Sequence, residues 1–173
     1  MTPDPDPDPK RAVVIDLAIP CAKWRRAVPA VEKRAKEAAC AVLTQAGKKL
    51  GAAELSLVLA DDETVAALNE RWRRRRGPTN VLAFASEERA MPPAPLLLGD
   101  VVLAYETVTK EARDQGKALV DHLRHLVIHG VLHLLGYDHE AAGPARRMEM
   151  LETRLLATLG VPDPYHARED AHG

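Results

Sequence analysis

From His129 to His139 the chain reads HGVLHLLGYDH, and no other run constrains the fold as much: it sets three imidazoles at H-x3-H-x5-H spacing around a helix stop. Residues four apart lie one turn apart on the same face of an α-helix, so His129 and His133 can grip one ion if the segment is helical. Gly136 then ends the helix. Glycine takes the left-handed conformation that closes a helix C-terminus, and the turn through Tyr137 and Asp138 swings His139 back towards the other two. Three protein ligands leave a position open. Zinc favours imidazole nitrogen and tetrahedral geometry, and such a site keeps its fourth place for a water whose pKa falls towards neutrality. One divalent ion per chain, zinc, is therefore expected; nickel, cobalt or copper would also accept three imidazoles, with geometry and availability choosing among them. The bland alternative is a set of histidines scattered over a half-buried helix face, and 7 histidines in 173 residues make some clustering unsurprising. The i, i+4 pair, the stop glycine and the third histidine together favour the metal.

Periodicity supplies the elements around this run. Met1 to Pro9 is an Asp-Pro repeat that can form neither a helix nor a central strand, because each proline fixes φ and removes a donor. Residues 1–10 are read as a disordered acidic tail, 11–167 as one domain and 168–173 as a flexible C-terminus. Strands are expected over Ala12–Ile19, Glu54–Ala60, Asn80–Ala85 and Gly99–Ala104, the last two joined by the proline-rich Met91–Pro95 loop. Helices are expected over Val28–Leu43, from about Glu63 to Arg73 with Asp61 or Asp62 as N-cap, and over Glu106–Gln115, Leu119–Leu135 and Ala145–Leu159. The fold class is α+β, a small mixed sheet covered by helices, with the metal site at the C-terminal end of a central helix.

Composition excludes several classes. With 46% hydrophobic residues, 173 residues can bury one sizeable core without dividing. Cys21 and Cys40 lack CxxC spacing and read as ordinary thiols of a reducing compartment. The N-terminus has no basic segment leading into an apolar run, and no stretch approaches the roughly 20 apolar residues of a membrane span, so a cytoplasmic protein with no membrane association is expected. The formal net charge of −1 conceals a cluster formed by Arg71, Arg73, Arg74, Arg75 and Arg76. Five arginines at a helix C-terminus suit the helix dipole and are commonly just solvated; the same cluster also suits a polyanion. Trp24 and Trp72 are read as packing residues, and with aromatics at only 3% there is little material for stacking on bases.

H-x3-H-x2-G-x2-H is also the metzincin protease spacing, but those enzymes carry Glu directly after the first histidine as general base, where this chain has Gly130. The full run instead resembles the YbeY family of bacterial endoribonucleases, whose signature HG-x-LHL-x-GYDH is met at all its specified positions. Leu68 to Phe84, LNERWRRRRGPTNVLAF, is similar to a second family element, with Asn69, Arg73, Pro78, Thr79 and Asn80 in place. It departs at Ala83, where a serine is usual, and at Arg76, where an acidic residue is common. LGDVVLAYETVTKEARDQGK matches the family's LGD strand and following helix, pointing to Asp100, Glu111 and Gln115, and the ending LGVPDPY is similar to the family's close.

The resemblance implies a metal-dependent, single-strand-type endoribonuclease of ribosomal RNA processing, acting in 16S rRNA 3′-end maturation and ribosome quality control. Its partners are precursor rRNA and the ribosome or small-subunit proteins, and no nucleotide cofactor is expected. It places Arg73 on the family's arginine, where a guanidinium can clamp a phosphodiester, and favours His125 as a catalytic cleft residue; Arg71, Arg74, Arg75 and Arg76 would extend a basic track along the RNA backbone. Asp138, Glu111 and Asp100 are candidate carboxylates behind the ligands. His122 and His125 share the face of His129 and His133 without being needed as ligands. The nucleophile is either a metal-bound water or an RNA 2′-hydroxyl. Two other classes stay open: a metallopeptidase of metzincin-like spacing, and a non-catalytic ribosome-assembly factor.

Overall fold

Alternation of apolar residues builds the sheet. A computed structural model of the chain describes residues 13–50, 52–87, 94–137 and 142–165, and in it four strands form: β1 (Val13–Ala18), β2 (Ala53–Ala60), β3 (Val81–Ala85) and β4 (Leu96–Ala104). Their order is β1-β2-β4-β3, with β1, β2 and β4 parallel and β3 antiparallel to β4, so the sheet is mixed and β3 lies at an edge. On β2, Leu55, Leu57 and Leu59 point one way into the main core, while Ser56 and Val58 point the other. The expected disordered tail, the flexible end at 168–173 and Met91 to Pro93 of the connecting loop lie outside the described residues.

Among the described residues six helices cover the two faces: α1 (Lys23–Ala27), α2 (Val31–Leu50), α3 (Asp62–Arg73), α4 (Tyr105–Asp114), α5 (Leu119–Leu134) and α6 (Ala142–Thr158). The larger core joins α1, α2, α5 and α6 to one face, and a smaller cluster under α3, with Val65 against Leu82 and Val102, closes the other. Among the described residues no helix is long and apolar enough to cross a membrane. Cys21 is buried and Cys40 exposed, both as free thiols.

Departures from the expected elements have local causes. Val28 precedes Pro29, which disfavours the helical conformation there; Val28 is extended (φ −123°, ψ 108°), so the helix expected from Val28 starts at Val31 as α2, runs on past Leu43 to Leu50, and is preceded by a short helix, α1, that periodicity did not announce. Trp24 anchors the short α1, fully buried, donating Nε1–H to the Ala60 carbonyl at 2.9 Å and meeting Tyr105 edge to face at 5.1 Å. β4 starts at Leu96, earlier than Gly99, because a register shift opposite Glu54 and Leu55 carries it through the glycine. At φ +134° a Cβ on Gly99 would sit 2.0 Å from the Phe84 carbonyl oxygen, so only glycine fits.

Two capping exchanges fix α3 and α4. The Asp61 carboxylate accepts from the Thr64 N–H at 2.8 Å, as an N-cap should. Asp62 accepts from the Thr107 N–H and hydroxyl at 2.9 and 2.8 Å, while Glu106 accepts from the Asp62 N–H at 3.0 Å. Each helix start thus receives a carboxylate from the other, where the dipole favours negative charge.

α5 is the central helix, packed on β3, β4, α2, α4 and α6. Its closest approach to the sheet is at Gly130, where a Cβ would fall 2.6 Å from Val101 Cγ1 and 3.4 Å from Val81 Cγ2. Valine is stiff at χ1 and cannot swing aside. Gly130→Ala is therefore expected to destabilise by about 1–3 kcal/mol through overpacking, and Gly130→Ala with Val101→Ala by less than the two single changes summed. Denaturant unfolding of the four proteins checks this, and strict additivity would show that the helix does not rest on Val101.

Candidate metal centre

α5 ends where its sequence says it should. Gly136 has φ +94°, its N–H donates to the His133 carbonyl at 3.0 Å, and the Tyr137 N–H donates to the Leu132 carbonyl at 3.1 Å. These are the two bonds of a Schellman closure, which needs a left-handed residue at that position. The helix carries His122, His125, His129 and His133 along one stripe while most of its remaining surface is buried and apolar.

His129 and His133 present Nε2 to each other at 3.1 Å, with ring centroids 4.6 Å apart. Two imidazole nitrogens on one tetrahedral zinc, each bonded at 2.0–2.1 Å, lie about 3.3 Å apart. The described half of the donor set therefore fits such an ion. His139, the expected third ligand, and Asp138 lie outside the described residues, and among the described residues no three His, Cys, Asp or Glu side chains gather closely enough to hold a metal.

Behind this pair stands Glu152, fully buried on α6. Its Oε1 lies 2.6 Å from His129 Nδ1 and its Oε2 lies 2.8 Å from His125 Nε2 and accepts from the Tyr165 hydroxyl. A carboxylate on Nδ1 places the proton there and leaves Nε2 as an electron-pair donor facing the partner histidine, the arrangement typical of metal-binding histidines. Burial raises the Glu152 pKa, but hydrogen bonds and positive charge from His125 and His129 outweigh it and hold the carboxyl down at about 2.

Of the expected supporting acids, Asp138 lies outside the described residues, and Glu111 and Asp100 stand away from this pair. Glu111 lines the neighbouring cleft, where it accepts from Asn80 Nδ2 and meets His122 Nε2, each at 3.3 Å; it touches neither described ligand. Burial pushes the pKa of His122 down. Asp100 is exposed and shares a sheet face with Val102, the α3 side, so the sheet separates it from α5. Sequence reasoning missed Glu152; its place inside the stripe Met148, Leu151, Leu155, Leu156 of α6 signals an acid that requires buried partners, but not which ones. His125 lines the same cleft as Glu111, with Nε2 turned to Glu152 and to the Tyr165 hydroxyl at 3.2 Å.

Arg73 arrives from the opposite face of the sheet. It reaches round the edge strand, donating from Nη2 to the Ala83 carbonyl at 2.9 Å with its guanidinium 5.6 Å from the Phe84 ring centroid. Because the acceptor at 83 is backbone, alanine in place of the family's serine leaves this contact intact. Arg73 and Arg75 thereby line one cleft of about 510 Å³ with His129 and His133. The loop behind them is pinned by buried Asn69, whose carbonyl accepts from the Arg74 and Arg75 N–H groups and whose Nδ2 donates to Gly77 O at 2.9 Å. Arg71, Arg74, Arg75 and Arg76 are exposed, and among the described residues none of the five arginines has a carboxylate partner. Trp24 is the packing residue expected. Trp72 is not: it is 62% exposed.

Residues 20–160 match the family model described as Endoribonuclease YbeY. Two curated proteins with that description are close in sequence. One from Paramagnetospirillum magneticum is 54% identical over 159 residues, covering 88% of this chain and 97% of its own. One from Rhodopseudomonas palustris is 45% identical over 163 residues, covering 92% and 93%. The solution structure of a Thermotoga maritima protein shares the fold with a TM-score of 0.53 at 21% identity, over 84% of this chain and 91% of that one.

The Glu152 carboxylate also sets an acid dependence. Its folded pKa lies below the ordinary 4.5, so its contribution is complete above that value and is lost as pH falls from 4.5 towards about 2. Glu152→Gln is expected to cost roughly 3 kcal/mol at pH 7 in chelator-treated protein, with the gap to wild type narrowing through that window. Equal gaps at neutral and acid pH, measured by denaturant unfolding, would mean that Glu152 is not the charged hub of this network.

Proposed function

Since the chain belongs to the YbeY endoribonuclease family, we propose that it is a metal-dependent endoribonuclease cutting single-stranded RNA in ribosomal RNA processing, 16S rRNA 3′-end maturation included, and in ribosome quality control. One observation supports this reading above the others: the converging Nε2 atoms of His129 and His133 share a cleft with Arg73, an arginine that no carboxylate neutralises among the described residues. His129, His133 and His139 are the residues that would hold the ion. Bound there, a zinc ion supplies a water acidified towards neutral pH and a Lewis acid for a phosphoryl oxygen.

The chain's own residues do the rest. Glu152 fixes the tautomer and orientation of His129, and His125 and Tyr165 complete the hydrogen bonding of that buried carboxylate. Arg73 needs one N–H for the Ala83 carbonyl, which sets the plane of the guanidinium and leaves other N–H groups to clamp a phosphodiester and stabilise charge developing at phosphorus. Arg75, on the same cleft, and Arg71, Arg74 and Arg76 provide the sequence-independent track for flanking phosphates. Among the described residues, a peptidase reading finds no carboxylate directly after His129. Position 130 faces Val101 and Val81 at a distance that admits no side chain, so no acid following His129 can reach the cleft.

Purified protein incubated with structured RNA and with casein, each with and without chelator, separates the classes. Chelator-sensitive RNA cleavage is expected, together with one metal ion per chain that is lost in His133→Ala; chelator-sensitive casein cleavage with RNA intact would sink the proposal. The product ends identify the nucleophile, a 2′,3′-cyclic phosphate for the 2′-hydroxyl and a linear phosphate for water. For Arg73, Arg73→Ala should lower the single-turnover rate at saturating RNA by about 10²–10³-fold with affinity nearly unchanged. Arg75→Ala and Arg76→Ala should instead weaken binding to all RNAs and flatten its salt dependence by about one unit of slope each. An Arg73 variant that loses affinity but keeps its saturated rate assigns the residue to docking.

A further inference from the structure

The apolar stripe of α3 runs Val65, Leu68, Trp72 at helical spacing. Val65 is buried and Leu68, with Phe84, packs against the small cluster that includes Leu82 and Val102, but Trp72 is not part of that cluster and keeps 62% of its surface exposed. A tryptophan is the most expensive apolar side chain to leave in water. Arg71 covers part of its ring, with Cζ 5.1 Å from the centroid, and the next residue, Arg73, lines the cleft of His129 and His133. The five arginines around it have no carboxylate partner among the described residues, so the aromatic surface is set in uncompensated positive charge.

Both features call for the same ligand. A polyanion satisfies the arginines but not the indole; a protein surface apolar enough for the indole would leave the guanidinium groups desolvated and unpaired. A single-stranded nucleic acid satisfies both, since each unpaired nucleotide offers a phosphate and a π-face. We propose that Trp72 is a base-stacking platform: an unpaired base flanking the scissile phosphate lies on the indole, Arg71 backs the ring, and Arg73 and Arg75 take the adjoining phosphates. This rests on the ribonuclease reading and deepens it. In a duplex the base faces are already stacked, so the platform would select unpaired RNA without reading its sequence.

Trp72 also supplies its own reporter. The chain has two tryptophans, and Trp24 is fully buried, so acrylamide quenching of the full-length protein reads Trp72. Binding is measured in chelator with a 2′-O-methyl oligouridine, which cannot be cleaved through a 2′-hydroxyl, and with an abasic analogue of equal length. The oligouridine is expected to protect the fluorescence. Trp72→Ala should weaken its binding about 5- to 100-fold, with affinity for the abasic analogue and the salt slope unchanged, and Trp72→Phe should recover most of the loss. Arg71→Ala, by contrast, should weaken both oligonucleotides and flatten the slope. Equal loss on both oligonucleotides in Trp72→Ala, or no loss on either, overturns the stacking assignment and leaves the nuclease reading standing. Wild-type protein that binds neither overturns both.

Discussion

The structure turns on how closely α5 lies against the sheet. At Gly130 the helix backbone rests on Val101 with no side chain between, and that approach sets the depth at which the histidine stripe sits relative to β3. One glycine therefore serves packing and site together. Were the helix held off by a methyl group, His129 and His133 would move relative to Arg73, whose own position is tied to the edge strand through the Ala83 carbonyl. The same closeness removes any general base at position 130, which places the chemistry on side chains from other elements.

A buried helix favours paired polar residues, because an unpaired buried polar group costs of the order of 1–3 kcal/mol. Glu152 meets that demand for the stripe. It takes His129 and His125 on its two oxygens, with the Tyr165 hydroxyl joining from the C-terminal segment. One carboxylate on α6 thus ties the central helix to the last described residues of the chain, and the interaction that stabilises the core also orients the candidate ligand. Glu111 plays a parallel part, joining Asn80 to His122 and so the start of β3 to the first turn of α5.

Edge strand β3 lets two sheet faces contribute to one cleft. Its inward neighbours Val81 and Ala83 face α5, while Leu82 and Phe84 face α3. Arg73 uses both, lying over Phe84 and bonding the Ala83 backbone as it rounds the edge. A central strand would have walled the arginine off. That an arginine from one layer and histidines from the other share a cleft follows from strand order, which here puts β3 outside β4 despite its earlier place in the chain.

Much of this was legible in the residues. Periodicity located the four strands and five of the described helices, missing the short α1 and stopping α2 seven residues early; Asp61 or Asp62 announced the start of α3 and Gly136 the end of α5, because caps and amphipathic stripes are local properties written in a few neighbouring side chains. The i, i+4 spacing alone put His129 and His133 on one face. What no local pattern contained was which acid stands behind His129: Glu152 lies 23 residues away and meets it only through the packing of α6 on α5, whereas Asp100, to which the family resemblance pointed, is screened by the sheet. The uncovered Trp72 belongs to the same class, since helical spacing gave it the face of Val65 and Leu68 and only tertiary packing left it bare. The sequence by itself determined the helices, their ends and the side chains each face offers; the tertiary structure decided which of those faces meet, because pairing between distant segments depends on strand order and layer packing, which local side-chain patterns do not encode.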